Sequence, residues 1–166
     1  MPAKLSTLFR IGPLGKILFC ITLCFSFVAP SIAAEPVAKS KDGIAIDGHD
    51  AVAYHSLERA PQANAIKGNS ALVVSYKGAD WQFGSQESAD LFRADPERYS
   101  PAYNGHCANA LSLGRGLLAT DGTHWEIFEN KLYLFFAARG RVRWMDGNWA
   151  SYKVDADAAW AKLSGG

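Results

Sequence analysis

Three cysteines occur in the 166 residues, and their placement limits what this chain can fold into. Cys20 and Cys24 fall in an apolar run, Ile17–Ala29, broken only by Thr22 and Ser26. Lys4, Arg10 and Lys16 come before the run without any acid, and Pro30 and Ser31-Ile-Ala-Ala34 follow it. Residues 1–34 therefore have the three-part layout of a secretory signal peptide. The run is shorter than the roughly 20 residues a bilayer span needs. Twin arginines are absent and Leu23, not a small residue, precedes Cys24, so general secretion without lipidation is expected. Cleavage is predicted after Ala33 or Ala34. The expected location is periplasmic or secreted, with the membrane touched only through the signal peptide during export.

Removing residues 1–34 takes three of the 17 basic residues and none of the 16 acids, leaving a net charge of −2 and one thiol, Cys107. Exported domains normally pair their cysteines. A single thiol closes no internal bridge, so a hydrophobic core must hold the fold, and about 130 residues suffice. Hydrophobic residues make up 49% of the chain and aromatics 12%, which excludes a disordered segment. The slightly acidic balance gives no reason to expect a nucleic-acid partner.

Residues 35–43 read as a flexible lead-in and 44–163 as a single domain. Asp47-Gly-His-Asp50 is a turn, and Asp50 is a candidate N-cap for a short helix over 51–57. Residues 71–76 and 81–83 form a predicted β-hairpin across Lys77-Gly78. Ser85 caps a predicted helix through Ala94, and Pro96 opens a short turn to Tyr99. A helix is predicted over 106–113, ending at Gly114. Residues 125–128 and 132–136 form a second hairpin, and helices are predicted over 139–145 and 154–163. No internal repeat is evident beyond the pair of hairpin-then-helix units. The fold class is α+β: one small domain with two β-hairpins and several short helices.

Chemistry-bearing motifs are few. Leu113-Gly-Arg-Gly116 lacks the third glycine of a dinucleotide loop. Arg139, Arg141 and Arg143, near Trp144 and Trp149, read as a solvated helix face beside a core tryptophan. The candidates that remain are Cys107, His106, His49 and Asp50. Cys and His suit a soft cation such as copper or zinc. Asp50 also reads as a capping carboxylate, and Cys107 as a buried small hydrophobe. Thiol catalysis would need a base approaching from elsewhere in the fold, such as His49, His55 or His124.

The stretch Tyr76-Lys-Gly-Ala-Asp-Trp-Gln-Phe83, followed by Ser85, Phe92, Asp95-Pro96 and Tyr99, resembles the YHS domain. Asp47-Gly-His-Asp-Ala-Val-Ala-Tyr54, Tyr103-Asn-Gly-His-Cys-Ala108, Leu132-Tyr-Leu134 and Ala156-Asp-Ala-Ala-Trp160 are similar to its exported bacterial subfamily. The resemblance implies a YHS/TRASH-like core, in which the wider family often handles metals. The positions of the family's ligand cysteines are here Ala53, Gly84 and Ser88, none of which can supply a thiolate. Three readings follow. The first is an exported, non-catalytic binding module whose metal ion or small-molecule ligand lies near Cys107, His106, His49 and Asp50. The second is a thiol-dependent enzyme using Cys107. The third is an envelope subunit presenting Trp144 and Trp149 to a protein partner.

Overall fold

The computed structural model describes residues 36–57 and 64–165. The predicted signal peptide lies outside them. Among the described residues, four strands and five α-helices follow in chain order. Asn69–Tyr76 (β1) pairs antiparallel with Ala79–Phe83 (β2), and His124–Phe128 (β3) pairs antiparallel with Lys131–Phe135 (β4). The helices are Gln86–Ala94 (α1), Pro96–Tyr99 (α2), Ala108–Ser112 (α3), Ala138–Asp146 (α4) and Trp149–Leu163 (α5). The protein is thus α+β, with two separate two-stranded sheets. Among the described residues no helix is long and apolar enough to cross a membrane.

The boundaries of α1 follow from its sequence. Ser85 Oγ accepts the Ser88 N–H at 3.0 Å, and Asp95 in turn caps α2 behind Pro96. Ala38, in the stretch expected as a lead-in, is buried, and its N–H donates to Asn104 O at 2.9 Å.

Two cores share one strand. Leu132 and Leu134 of β4 face a core with Trp81, Phe83, Phe92 and Tyr54. Tyr133 and Phe135 face a second core with Leu111, Trp144 and Ala156. Successive residues of a strand point to opposite faces, so β4 is apolar from Leu132 to Phe135 because both its faces are covered.

The two halves follow one plan. Ile46 and Asp47 hold positive φ, 42° and 52°, as do Tyr103 and Asn104, 57° and 48°. A glycine and then a histidine follow in each case. Each histidine N–H donates three residues back, His49 to Ile46 O at 3.3 Å and His106 to Tyr103 O at 3.0 Å. The next N–H crosses to the segment leading into the hairpin, Asp50 to Ile66 O and Cys107 to Leu118 O, both at 2.8 Å. After each hairpin comes a helix of 9 residues, α1 or α4. Phe92 of α1 packs on Trp81 and Phe83 of β2, as Trp144 of α4 packs on Tyr133 and Phe135 of β4.

Candidate functional site

Asp50 and Cys107 occupy the same place in the two halves. Each lies in the turn ahead of a short helix, and each accepts the N–H of the first residue after its hairpin. Gly84 N–H donates to Asp50 Oδ2 at 2.8 Å, and Phe136 N–H donates to Cys107 Sγ at 3.2 Å. Asp50 is 1% exposed, and its Oδ1 also takes the N–H groups of Val52 and Ala53 at 2.9 and 3.1 Å. Those two bonds cap a single 3-10 turn, Ala53–Ser56, where a helix over 51–57 was expected. Three backbone donors therefore hold this carboxylate, which ties the turn to the end of β2.

Cys107 is the N-cap residue of α3, and its side chain makes no cap hydrogen bond. It is buried, and it lines a cavity of about 60 Å³ together with Ala110, Arg115, Phe136, Arg139 and Gly140. Arg115 and Arg139 bring two positive charges to the lining of this space. No histidine is among the residues lining it.

The histidines are engaged elsewhere. His49 Nδ1 lies 3.2 Å from Ile46 O, and His106 Nδ1 lies 3.0 Å from Tyr103 O. The His106 ring lies 5.8 Å from the ring of Trp160. Burial lowers the pKa of both histidines, and nearby Lys67 adds to the effect at His49. Tyr54, a motif residue without an evident role in the sequence, is fully buried and donates to Gly122 O at 2.7 Å. Burial raises its pKa strongly. Gly122 is pressed so close that a Cβ would lie 2.8 Å from both His49 Nδ1 and the Tyr54 hydroxyl.

Cys107, His106, His49 and Asp50 thus form two pairs in corresponding turns. Among the described residues, no group of three or more His, Cys, Asp and Glu side chains is placed to hold a metal ion. Asp50 is committed to three backbone N–H groups, and each of the two histidines meets a carbonyl of its own turn through Nδ1. Trp144 is 0% exposed, and Trp149 stacks on Phe128 with ring centroids 4.8 Å apart. Trp144 therefore offers no open face, and Trp149 is half-buried. Arg141, expected on a solvated face, donates to Glu126 Oε2 and to Trp125 O, both at 2.7 Å. Arg143 donates to Asn109 and Ser112 and lies over the Tyr152 ring.

Residues 64–103 match the family model of the YHS domain. The chain therefore contains a YHS domain over these residues. No curated protein and no solved structure matches the chain. The YHS match runs from the lead into β1 to the left-handed Tyr103, so it covers the first hairpin, α1 and α2. The Cys107 cavity belongs to the other half. Its two cations escaped the sequence reading, Arg139 as part of a solvated face and Arg115 inside a discarded glycine motif. Aligning Asp47-Gly-His-Asp50 with Asn104-Gly-His-Cys107 was the signal that would have pointed to the second half.

Proposed function

We propose that this YHS-domain protein is exported by way of residues 1–34 and acts as a binding module whose ligand sits beside Cys107. One observation carries the reading: the one thiol outside the signal segment lines a cavity that two arginines border. Of the two ligand classes expected, small molecule and soft metal, this geometry favours the small molecule. No histidine lines the cavity to complete a soft-metal site with the thiol. Thiol catalysis has less support, because no histidine lines the cavity to act as a base.

Labelling the native protein with iodoacetamide tests the site. Cys107, followed by peptide mass, is expected to react faster than the protein globally unfolds. Labelling only at the unfolding rate would mean the thiol is sealed, and the reading would fall. Titration with Cu(I) or Zn(II) separates the ligand classes. No binding tighter than micromolar is expected, whereas tight binding lost in Cys107→Ala would favour a metal. Export predicts an envelope protein beginning at Ala34 or Glu35. A cytoplasmic protein that keeps residues 1–34 would refute it.

A further inference from the structure

α5 carries more apolar surface than the second core covers. Ala156 is fully buried and Trp160 packs on Tyr103 and His106, which uses one face of the helix. Yet Val154 is 67% exposed and Leu163 46%, and Ala158 is exposed between them. A helix with apolar residues all round is normally covered all round. A groove of about 450 Å³ runs along this outer face, between Leu111, Gly114 and Gly116 and the α5 residues Asp155, Ala158 and Ala159. Lys162 and Leu163 continue its α5 wall, and none of these residues lines the Cys107 cavity. Asp155 and Lys162 are both exposed, and neither has an ion-pair partner among the described residues. Elsewhere on the same helix Lys153 and Asp157 do pair, at 2.7 Å. Seven residues make about two helical turns, so Asp155 and Lys162 stand in line on one face, about 10 Å apart. That is too far for them to pair with each other. Ala158 and Ala159 lie midway, and Val154 and Leu163 flank the line on its two sides.

We propose that this outer face of α5 is an interface between two copies of the chain. A face with an acid at one end and a base at the other is complementary to itself when turned end for end. Two copies related by a two-fold axis, with their α5 helices antiparallel, bring Asp155 of each copy against Lys162 of the other. Both unpaired charges are then satisfied by one operation. The alanines at the centre let the helix axes approach to about 8 Å, the near end of the range for packed helices. Val154 and Leu163 lose exposure at the edges, and the groove beside Gly114 and Gly116 receives side chains of the second copy. A surface of one charge sign, such as an anionic lipid layer, would attract Lys162 and repel Asp155. The balanced pair therefore selects a second copy. The proposal does not depend on the reading of Cys107.

Sedimentation equilibrium of the purified protein gives the test. One helix face is a small interface, so the protein should be monomeric at about 1 μM and mostly dimeric by about 1 mM. Asp155→Lys and Lys162→Asp each set like charges against each other twice in a homodimer, and each should weaken the dimer at least about tenfold. Mixed in equal amounts, the two variants should recover a dimer containing one of each, because every contact again joins a lysine to an aspartate. Both positions are exposed, so thermal midpoints at low concentration should stay near that of the parent. A protein that remains monomeric at the highest concentration would leave this face to another partner and overturn the proposal. A dimer that both single variants leave intact, or that their mixture does not restore, would place the interface elsewhere and overturn it as well.

Discussion

Replacing Asp50 with alanine should cost far more stability than replacing Cys107, although the two residues hold corresponding places. The Asp50 carboxylate is 1% exposed and accepts three backbone N–H groups. The two at the start of the 3-10 turn act as an N-cap, worth about 1–2 kcal/mol. The Gly84 N–H adds a bond to a charged acceptor, worth about 1.5–3 kcal/mol, and its loss leaves a donor unsatisfied. Allowing for non-additivity within one group, Asp50→Ala should cost about 3–4 kcal/mol. Cys107 accepts one N–H through sulfur, and its side chain already borders a cavity. Cys107→Ala should cost about 1 kcal/mol. Asp50→Asn should recover less than half of the loss, because its amide nitrogen would face a backbone N–H, donor to donor. Urea unfolding followed by tryptophan fluorescence measures all three, with the slope expected to stay constant. In heat the Asp50→Ala midpoint should fall by roughly 10–15 °C. If Asp50→Ala lowers the midpoint no more than Cys107→Ala does, three N–H groups do not close the first half on this carboxylate. The comparison between the halves would then lose its basis.

Acidification should destabilise the fold through its buried imidazoles. His49, His55 and His106 all have pKa values lowered by burial, with Arg98 and Lys131 adding to the effect at His55. Because the unfolded chain takes up these protons first, stability should be constant above about pH 6.5 and decline as pH falls through the lowered folded values. Unfolding midpoints at a series of pH values check this, and His106→Phe should flatten part of the slope. Glu126→Gln should cost about 2–4 kcal/mol by stranding Arg141, whose side chain is 18% exposed, and Glu126→Gln combined with Arg141→Met should regain much of it. Denaturant titration of the single and double variants measures this directly. Tyr54→Phe should cost about 1–2 kcal/mol through the lost bond to Gly122 O. Gly122→Ala should cost at least as much, since φ there is +83° and the new Cβ would meet His49 and Tyr54. Thermal melts of the two variants are the check.

Local signals were the legible ones. α1 matches its expected span because Ser85 and Pro96 mark its ends with side chains that act on adjacent backbone. The helix expected over 106–113 shrinks to Ala108–Ser112, because His106 closes the left-handed turn before it. α5 starts at Trp149, ahead of the expected Val154, because Asn148 Oδ1 accepts the Ser151 N–H. The apolar run of β4 could be read as a strand, but not as a wall between two cores, since that depends on what covers each face. At the site, one cysteine among scarce cysteines stood out in the sequence. Arg115 and Arg139 did not, because a loop after α3 and the start of α4 meet only in the tertiary fold. Asp50 was legible as a capping group, and the structure adds its third donor, Gly84.

The correspondence between the halves also bears on why the cavity lies where it does. An open space and uncapped helix starts weaken a small core, so the half that carries them needs support from elsewhere. In the first half α1 is followed only by the short α2, and Asp50 supplies the closure. In the second half α4 is followed by α5, 15 residues long, which has no counterpart after α1. Ala156 of α5 is fully buried in the second core with Leu111 and Trp144. Tyr103, in the turn that carries His106 and Cys107, donates to Asp157 of α5 at 2.9 Å. Trp160 packs against the rings of Tyr103 and His106. α5 therefore fixes the Cys107 turn from behind, on groups that do not line the cavity. With the turn held in this way, the Asp50 position can carry a thiol instead of a structural carboxylate without losing the left-handed turn that aims it.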